Sequence, residues 1–524
     1  MARAVRKGSG LAGKMDMPSP AHASLNLLKQ HAQVICLIAG SYLNCHSQLL
    51  AETSVREAPA LEISPASSDS RLDHVEQSLQ TLIEENSRLS AEIQGLRERQ
   101  EVWPYTQPTA DPGEAQAFGQ PSAGRLATQD GFFADYDGGI IIRPRQPSQN
   151  PFSLKVNHQN TFRYAAFDPD ASFWIDSSGT LRPINSSSDF SIPRGRLILS
   201  GQTLKENLSY LLNIDYNTVT NNPIGFRAFV LSYRIRRALE VHVGQNKVPG
   251  SREWLHSSFD AQEGPDRSMA TTFFRPSLSQ GIWFTGELSD SLRYHSMLSN
   301  GFNTLNVRSG DLDDRFCGST SVWWEPWGSF GRGYSDIEYH QQAAIRLGSC
   351  LSSTREEGSQ TSDYPENTLV RLSDGTLITQ QGALAPGITL QAFGLSLVAI
   401  DLSYKYRGLS LSTEIYRQEL SSFRGTGPLP LDALQTYGGM AQGGYFVRPR
   451  EIECYTRNSF VTGAFGSGTE IGAGFNWFLL PGSSRLRYTL DLAWLDSSPA
   501  DQNRTGFVAG QSGYLIRTQI TSSF

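Results

Sequence analysis

The chain of 524 residues contains no apolar run of about 18 residues, the length a helix needs to cross a bilayer, so no transmembrane helix is expected. It is also short of charge: Asp, Glu, Lys and Arg make up 18%, against about a quarter in an ordinary soluble domain. Lysine is the scarcest cation, and after Gly131 the only lysines are Lys155, Lys205, Lys247 and Lys405. A net charge of -6 with no basic cluster leaves nothing to hold nucleic acid. The five cysteines form no C-x-x-C pair and have no neighbouring set of histidines, which excludes the common zinc spacings, and no cofactor is expected. What the chain does have is glycine and aromatic residues, with a mean hydropathy of -0.34.

Beyond Gly131 apolar residues recur with a period of two, the spacing that lays them on one face of a strand. Leu486, Tyr488, Leu490, Leu492 and Trp494 share one parity, and Arg485, Arg487, Thr489, Asp491 and Ala493 the other. The same alternation runs through Leu208 to Tyr216, Phe229 to Ile235, Leu239 to Val243 and Ile471 to Leu479. About sixteen such segments can be traced, and their joins alternate between short turns and long loops, as in a barrel with turns at one rim and loops at the other. The last segment holds Tyr514, Ile516, Thr518, Ile520 and Phe524 on one parity, a terminal strand suited to closing a barrel. Only a closed barrel lets strands cross lipid with every backbone group paired. The expected fold is therefore all-β over residues 131–524: a transmembrane antiparallel β-barrel of about 16 strands, its apolar parity facing lipid and its polar parity facing the lumen. The joins from Val248 to Gln280 and from Leu351 to Gln391 are the longest, and long loops in compact domains are usually functional or disordered.

Ahead of the barrel, Val34 to Leu43 has the length of a signal-peptide core, and 1–54 reads as a leader region. After a linker at 55–71, Leu72, Val75, Leu79, Leu82, Leu89, Ile93 and Leu96 follow heptad spacing, with Asn86 at the remaining core position. This predicts an α-helical coiled coil over 72–100 with a polar residue setting its register. Residues 101–130, rich in Pro, Gly, Ala and Gln, read as a flexible tether.

Several short motifs carry a family resemblance: Arg194-x-Arg196-Leu197 with Ser200-Gly201, Val243-Gly244-Gln245-Asn246-Lys247-Val248-Pro249 with Ser251-Arg252-Glu253, Asp266-Arg267-Ser268, Gly281, Gly443-Gly444-Tyr445, and Gly472 to Trp477. In these the chain resembles the phosphate-selective porins of Gram-negative outer membranes, relatives of porins O and P. The resemblance implies a homotrimer of sixteen-stranded barrels in membrane lipid, a third loop folded inward as a constriction, arginines along the lumen and small anions as cargo. The coiled coil would then lie in the periplasm. An anion pore needs cationic donors at its narrowest point. The third loop offers Arg252, Arg267 and Arg275, accompanied by Glu253, Asp260, Glu263 and Asp266, and none of the four lysines lies inside it. Arg194, Arg196, Arg234, Arg236, Arg485, Arg487 and Arg517 have lumen parity; the alternative role for any one of them is a wall ion pair, such as Arg487 with Asp491. There are two rival readings. The first is an enzyme recruiting His242, His256 or His295 with Ser257 or Ser258, but no nucleophile motif surrounds them and their strand parities do not converge, so no enzyme is expected. The second, kept as the alternative, is a barrel that anchors or binds without conducting. Cys317 and Cys350, placed at the loop ends of neighbouring strands, are expected to come close enough for a disulfide.

Overall fold

The computed structural model describes residues 131–145, 151–221, 223–365 and 369–524; the expected leader, linkers and coiled coil lie outside the described residues. A short hairpin, β1 (Phe132–Tyr136) and β2 (Ile140–Pro144), comes first. The wall begins with β3 (Leu154–Pro169), and a small loop hairpin follows it, β4 (Phe173–Ile175) with β5 (Leu181–Pro183). It continues through β6 (Ser187–Thr203), β7 (Lys205–Tyr216), β8 (Ile224–Arg236), β9 (Leu239–Lys247), β10 (Leu278–Glu287), β11 (Leu292–Ser299) and β12 (Cys317–Trp324). Its second half is β13 (Ala344–Glu357), β14 (Leu390–Tyr406), β15 (Leu409–Gly425), β16 (Ala433–Arg448), β17 (Ile452–Gly463), β18 (Gly466–Leu480), β19 (Ser483–Ser498) and β20 (Gln511–Ser523).

Each wall strand pairs antiparallel with its sequence neighbours in the wall, and β20 pairs with both β19 and β3, so sixteen strands close on themselves. The seam runs to the last residue: His158 and Phe524 exchange backbone hydrogen bonds of 2.8 and 3.0 Å. Past the chain end β2 takes over that edge of β3, with Ile140 opposite Val156.

The alternation read from sequence fixes which face is wet. Leu490 and Leu492 are exposed on the outside, whereas Thr489, Asp491 and Ala493 are buried within. Phe229, Leu231, Tyr233, Ile400, Ile415, Ile471 and Ile516 are likewise exposed, and Asp401, Ser403, Lys405, Glu414, Glu470 and Arg517 are buried. An apolar exterior over a polar interior is the reverse of a water-soluble barrel and suits a hydrocarbon surround. Aromatic residues pair across strands near both rims, Trp477 beside Tyr488 and Trp494 beside Tyr514, where amphipathic rings favour the membrane interface.

At one rim the turns are tight. Arg407 and Gly408, both at positive φ, make the two-residue link from β14 to β15, the twist a right-handed hairpin requires. The expected parity of short and long joins holds at most positions, with two kinds of departure. On the loop rim, β17 and β18 are joined by residues 464–465 alone. On the turn rim, β12 and β13 are separated by residues 325–343, an insertion the alternation gave no reason to expect. The long join expected at Leu351 to Gln391 is shorter, 358–389, because β13 runs on through Ser352, Thr354 and Glu356, which are polar because they face the interior.

That extension of β13 overturns the expected disulfide. Cys317 and Cys350 are both free and buried. The register sets Ser321, not Cys317, opposite Cys350. Four residues of strand separate the two thiols along the wall, about 13 Å at the rise of a β-strand, far beyond the reach of a disulfide. Cys454, also free, is exposed on the outer face.

Candidate functional site

The third loop of the loop rim, residues 248–277 and hereafter L3, folds into the barrel. It carries two short helices, α1 (Arg252–Leu255) and α2 (Met269–Phe274). Each starts on a serine cap: Ser251 accepts from Trp254 N and Ser268 from Thr271 N, which satisfies amides that a helix start leaves without partners. At the other end of α1, Lys247 Nζ donates to the carbonyls of Trp254, Leu255 and His256, and Arg267 donates to those of Glu253, Trp254 and His256. The loop is tied down around the wall. Asp266, fully buried, takes Arg194 at 2.6 Å and Arg163 at 3.1 Å. Arg457 donates to the Asp266 carbonyl at 2.8 Å, and Glu470 accepts from Met269 N. Arg487 donates to the Gln262 carbonyl at 2.6 Å, and Ser319 and Ser352 donate to that of Pro249. Phe274 of α2 stacks on Tyr416 with centroids 5.0 Å apart.

Beside L3 lies a cavity of about 520 Å³ lined by six arginines, Arg194, Arg196, Arg227, Arg267, Arg275 and Arg504, and by one carboxylate, Asp215. Asp215 is shared between Arg196 at 3.3 Å and Arg504. Arg196 also donates to Ser258 and lies 4.5 Å over the Phe259 ring. Arg194 uses Nη2 on Asp266, while its Nη1 is buried with no partner among the described residues. The Arg227 side chain makes no hydrogen bond or ion pair with the described residues, while its carbonyl accepts from Gln245. Burial would raise the Asp266 carboxyl, but the Arg194 and Arg163 guanidiniums prevail and hold it down to about 2. Burial, with Arg194 nearby, lowers Arg267 to about 9, still a cation at neutral pH. On the far side of L3, burial and then the neighbouring Glu453 push the Glu263 carboxyl up to about 8.

Of the arginines singled out from sequence, Arg194, Arg196, Arg267 and Arg275 meet at this cavity. Arg252 points away from it, onto the Phe330 and Tyr334 rings at 4.9 and 4.2 Å. Arg487 binds loop carbonyls. Its suggested partner Asp491 pairs instead with Arg517 at 2.5 Å, because the register sets those two residues opposite each other. Arg234, Arg236 and Arg485 are exposed, and Arg234 faces Glu240 at 3.3 Å.

Two cavity arginines were not foreseen. Counting by twos from Phe229 puts Arg227 on the lipid side. The β7–β8 register slips between Asn213 opposite Ala228 and Ile214 opposite Phe226, and this bulge turns Arg227 inward. Arg504 comes from the last loop, where no periodicity could have marked it. Two of the three histidines of the enzyme reading are occupied elsewhere, His242 bonding Ser232 and Thr285 and His256 packing on Tyr334, while Ser258 serves Arg196. His295 lies in the wall, its buried Nε2 lacking a partner among the described residues.

No protein-family model matches the sequence, and no curated protein does. Solved structures with a similar fold include an anion-selective porin from Comamonas acidovorans, at 15% identity and TM-score 0.44, covering 71% of this chain and 100% of that one. In-vitro folded OmpT, an outer membrane protein of Vibrio cholerae, is similar at 12% identity and TM-score 0.44, with 72% and 99% covered. The outer membrane channel DcaP of Acinetobacter baumannii is similar at 9% identity and TM-score 0.41, with 72% and 97% covered.

Proposed function

We propose that the chain is a porin-type channel of a bacterial outer membrane that admits small anions. The observation that carries this reading is the cavity in which six guanidiniums face one carboxylate inside a closed barrel with an apolar exterior. The Nη1 of Arg194, a buried donor without an acceptor, and the uncommitted guanidinium of the half-buried Arg227 in the same cavity are placed for an incoming oxyanion. Phosphate, the anion named by the sequence resemblance, is one member of that class. In this reading the loop rim faces outward, the turn rim faces the periplasm, and the barrel assembles as a homotrimer in membrane lipid. The test is reversal potential in planar bilayers across a potassium chloride gradient, repeated with potassium phosphate. Anion preference in both supports the proposal, and cation preference refutes it.

One observation favours a second reading, a barrel that anchors or binds without conducting. L3 is largely buried within the barrel, and the tip of the 325–343 insertion joins it there, Phe330, Tyr334 and Asp336 being almost completely buried. Silence of the full chain in bilayers, with the barrel folded, would establish it.

A further inference from the structure

The insertion at residues 325–343 leaves the turn rim, enters the barrel and meets L3 head-on. Tyr334 N donates to the Ala261 carbonyl at 2.8 Å, and Arg252 donates to the Gly333 carbonyl at 3.2 Å. The approach is so close that a Cβ on Gly333, which sits at φ +77, would stand 3.0 Å from the Ala261 Cα. The wall holds the insertion in place: Ser335 donates to Glu453 at 2.8 Å, and Asp336 accepts from Gly408 N at 2.7 Å.

One carboxylate joins the two loops. Glu414, on β15 and almost completely buried, accepts from Glu253 N of α1 at 2.7 Å and from the Tyr334 hydroxyl of the insertion at 2.6 Å. Its second oxygen accepts from the Tyr416 hydroxyl at 2.7 Å, and that hydroxyl is 2.6 Å from Thr271 of α2. Both helices of L3 and the tip of the insertion thus converge on a single side chain of the wall. Such a junction has cooperative consequences: withdrawing either loop leaves a buried carboxylate short of donors, which weakens the reason for the other loop to stay.

We propose that residues 325–343 form a second gate, entering from the rim opposite L3, and that Glu414 latches the two so that they withdraw together. This rests on the channel reading. In that reading the arginine cavity recruits the anion and the two-loop junction governs its passage.

The test compares single-channel records of the full chain as wild type, as Glu414→Gln, and with 328–340 replaced by Asn-Gly. Loss of the latch is expected to raise the open fraction several-fold, and loss of the insertion to raise the unit conductance several-fold. Should the deletion fail to fold, a cysteine pair keeps the proposal testable: Ala261→Cys with Tyr334→Cys in a Cys454→Ser background. Reduced, this pair lacks the Tyr334 hydroxyl and should open more often than wild type; oxidised, it ties the loops together and should open less. Steps and open fractions that are the same in all these proteins, and under oxidant and reductant, overturn the gate and leave the channel standing. If wild type, deletion and reduced pair are all silent, the channel reading falls and the gate with it.

Discussion

Asp266 offers the sharpest perturbation, because this one carboxylate of L3 binds guanidiniums from two of the first wall strands, Arg163 of β3 and Arg194 of β6. Asp266→Ala leaves Arg163 and Arg194, each almost completely buried, without their shared carboxylate. Breaking a buried pair by removing one partner costs about 3–5 kcal/mol, mostly from the charge left behind. At about 1.4 kcal/mol per factor of ten, local opening of L3 should become more frequent by roughly a hundredfold to a few thousandfold. Hydrogen exchange reads this directly at Leu255 and Thr272, whose amides are held inside α1 and α2 by the carbonyls of Ser251 and Ser268 at 3.0 and 2.9 Å. Amides in β18 and β19 serve as the unchanged reference. Inorganic phosphate should slow exchange again in the variant by taking the place of the missing carboxylate. A carboxyl whose folded pKa is depressed stabilises above its unfolded value and loses that contribution as pH falls through the folded one, so wild-type L3 should stay docked until pH approaches about 2. Leu255 and Thr272 exchanging at wild-type rates in Asp266→Ala would refute the assignment of L3 docking to this pair.

Further outcomes follow from neighbouring groups. Removing one cavity guanidinium, as in Arg227→Gln, withdraws about 2 kcal/mol of attraction from an anion about 8 Å away at an effective dielectric of about 20, before salt screening. The reversal potential should therefore move toward the cation side, and more so when Arg194→Gln is added. Glu263 has its folded pKa raised, so its contribution is complete below about 4.5 and is lost as pH rises through about 8. Protection of L3 amides should fall across that window in wild type and stay level in Glu263→Gln, whose amide can still accept from Ser410. Thiol titration of the unfolded chain without reductant should find Cys317 and Cys350 both reactive, and reductant should leave gel mobility unchanged; a shift on reduction would contradict the β12–β13 register.

Much of the wall was legible because its rule is local. A strand with lipid on one side and water on the other must alternate every two residues, and this pattern in Leu486 to Trp494 or Phe229 to Ile235 is written without reference to any other segment. Closure too was foreshadowed by the final strand ending at Phe524. The inward fold of L3 came from resemblance rather than from any periodicity in the loop.

What only the tertiary structure decided concerns residues brought together across the barrel. Arg194 and Arg196 have the same parity as Arg487 and Arg517, yet the first two reach the cavity and the others bind Gln262 and Asp491, because height on the wall and neighbouring loops are not encoded in parity. A single bulge reverses the side to which Arg227 belongs, and a one-residue slip is invisible to a count by twos. The course of 325–343, the meeting of Ala261 with Tyr334 and the convergence on Glu414 join residues far apart in the chain, and no local pattern can specify contacts made only once sixteen strands have closed.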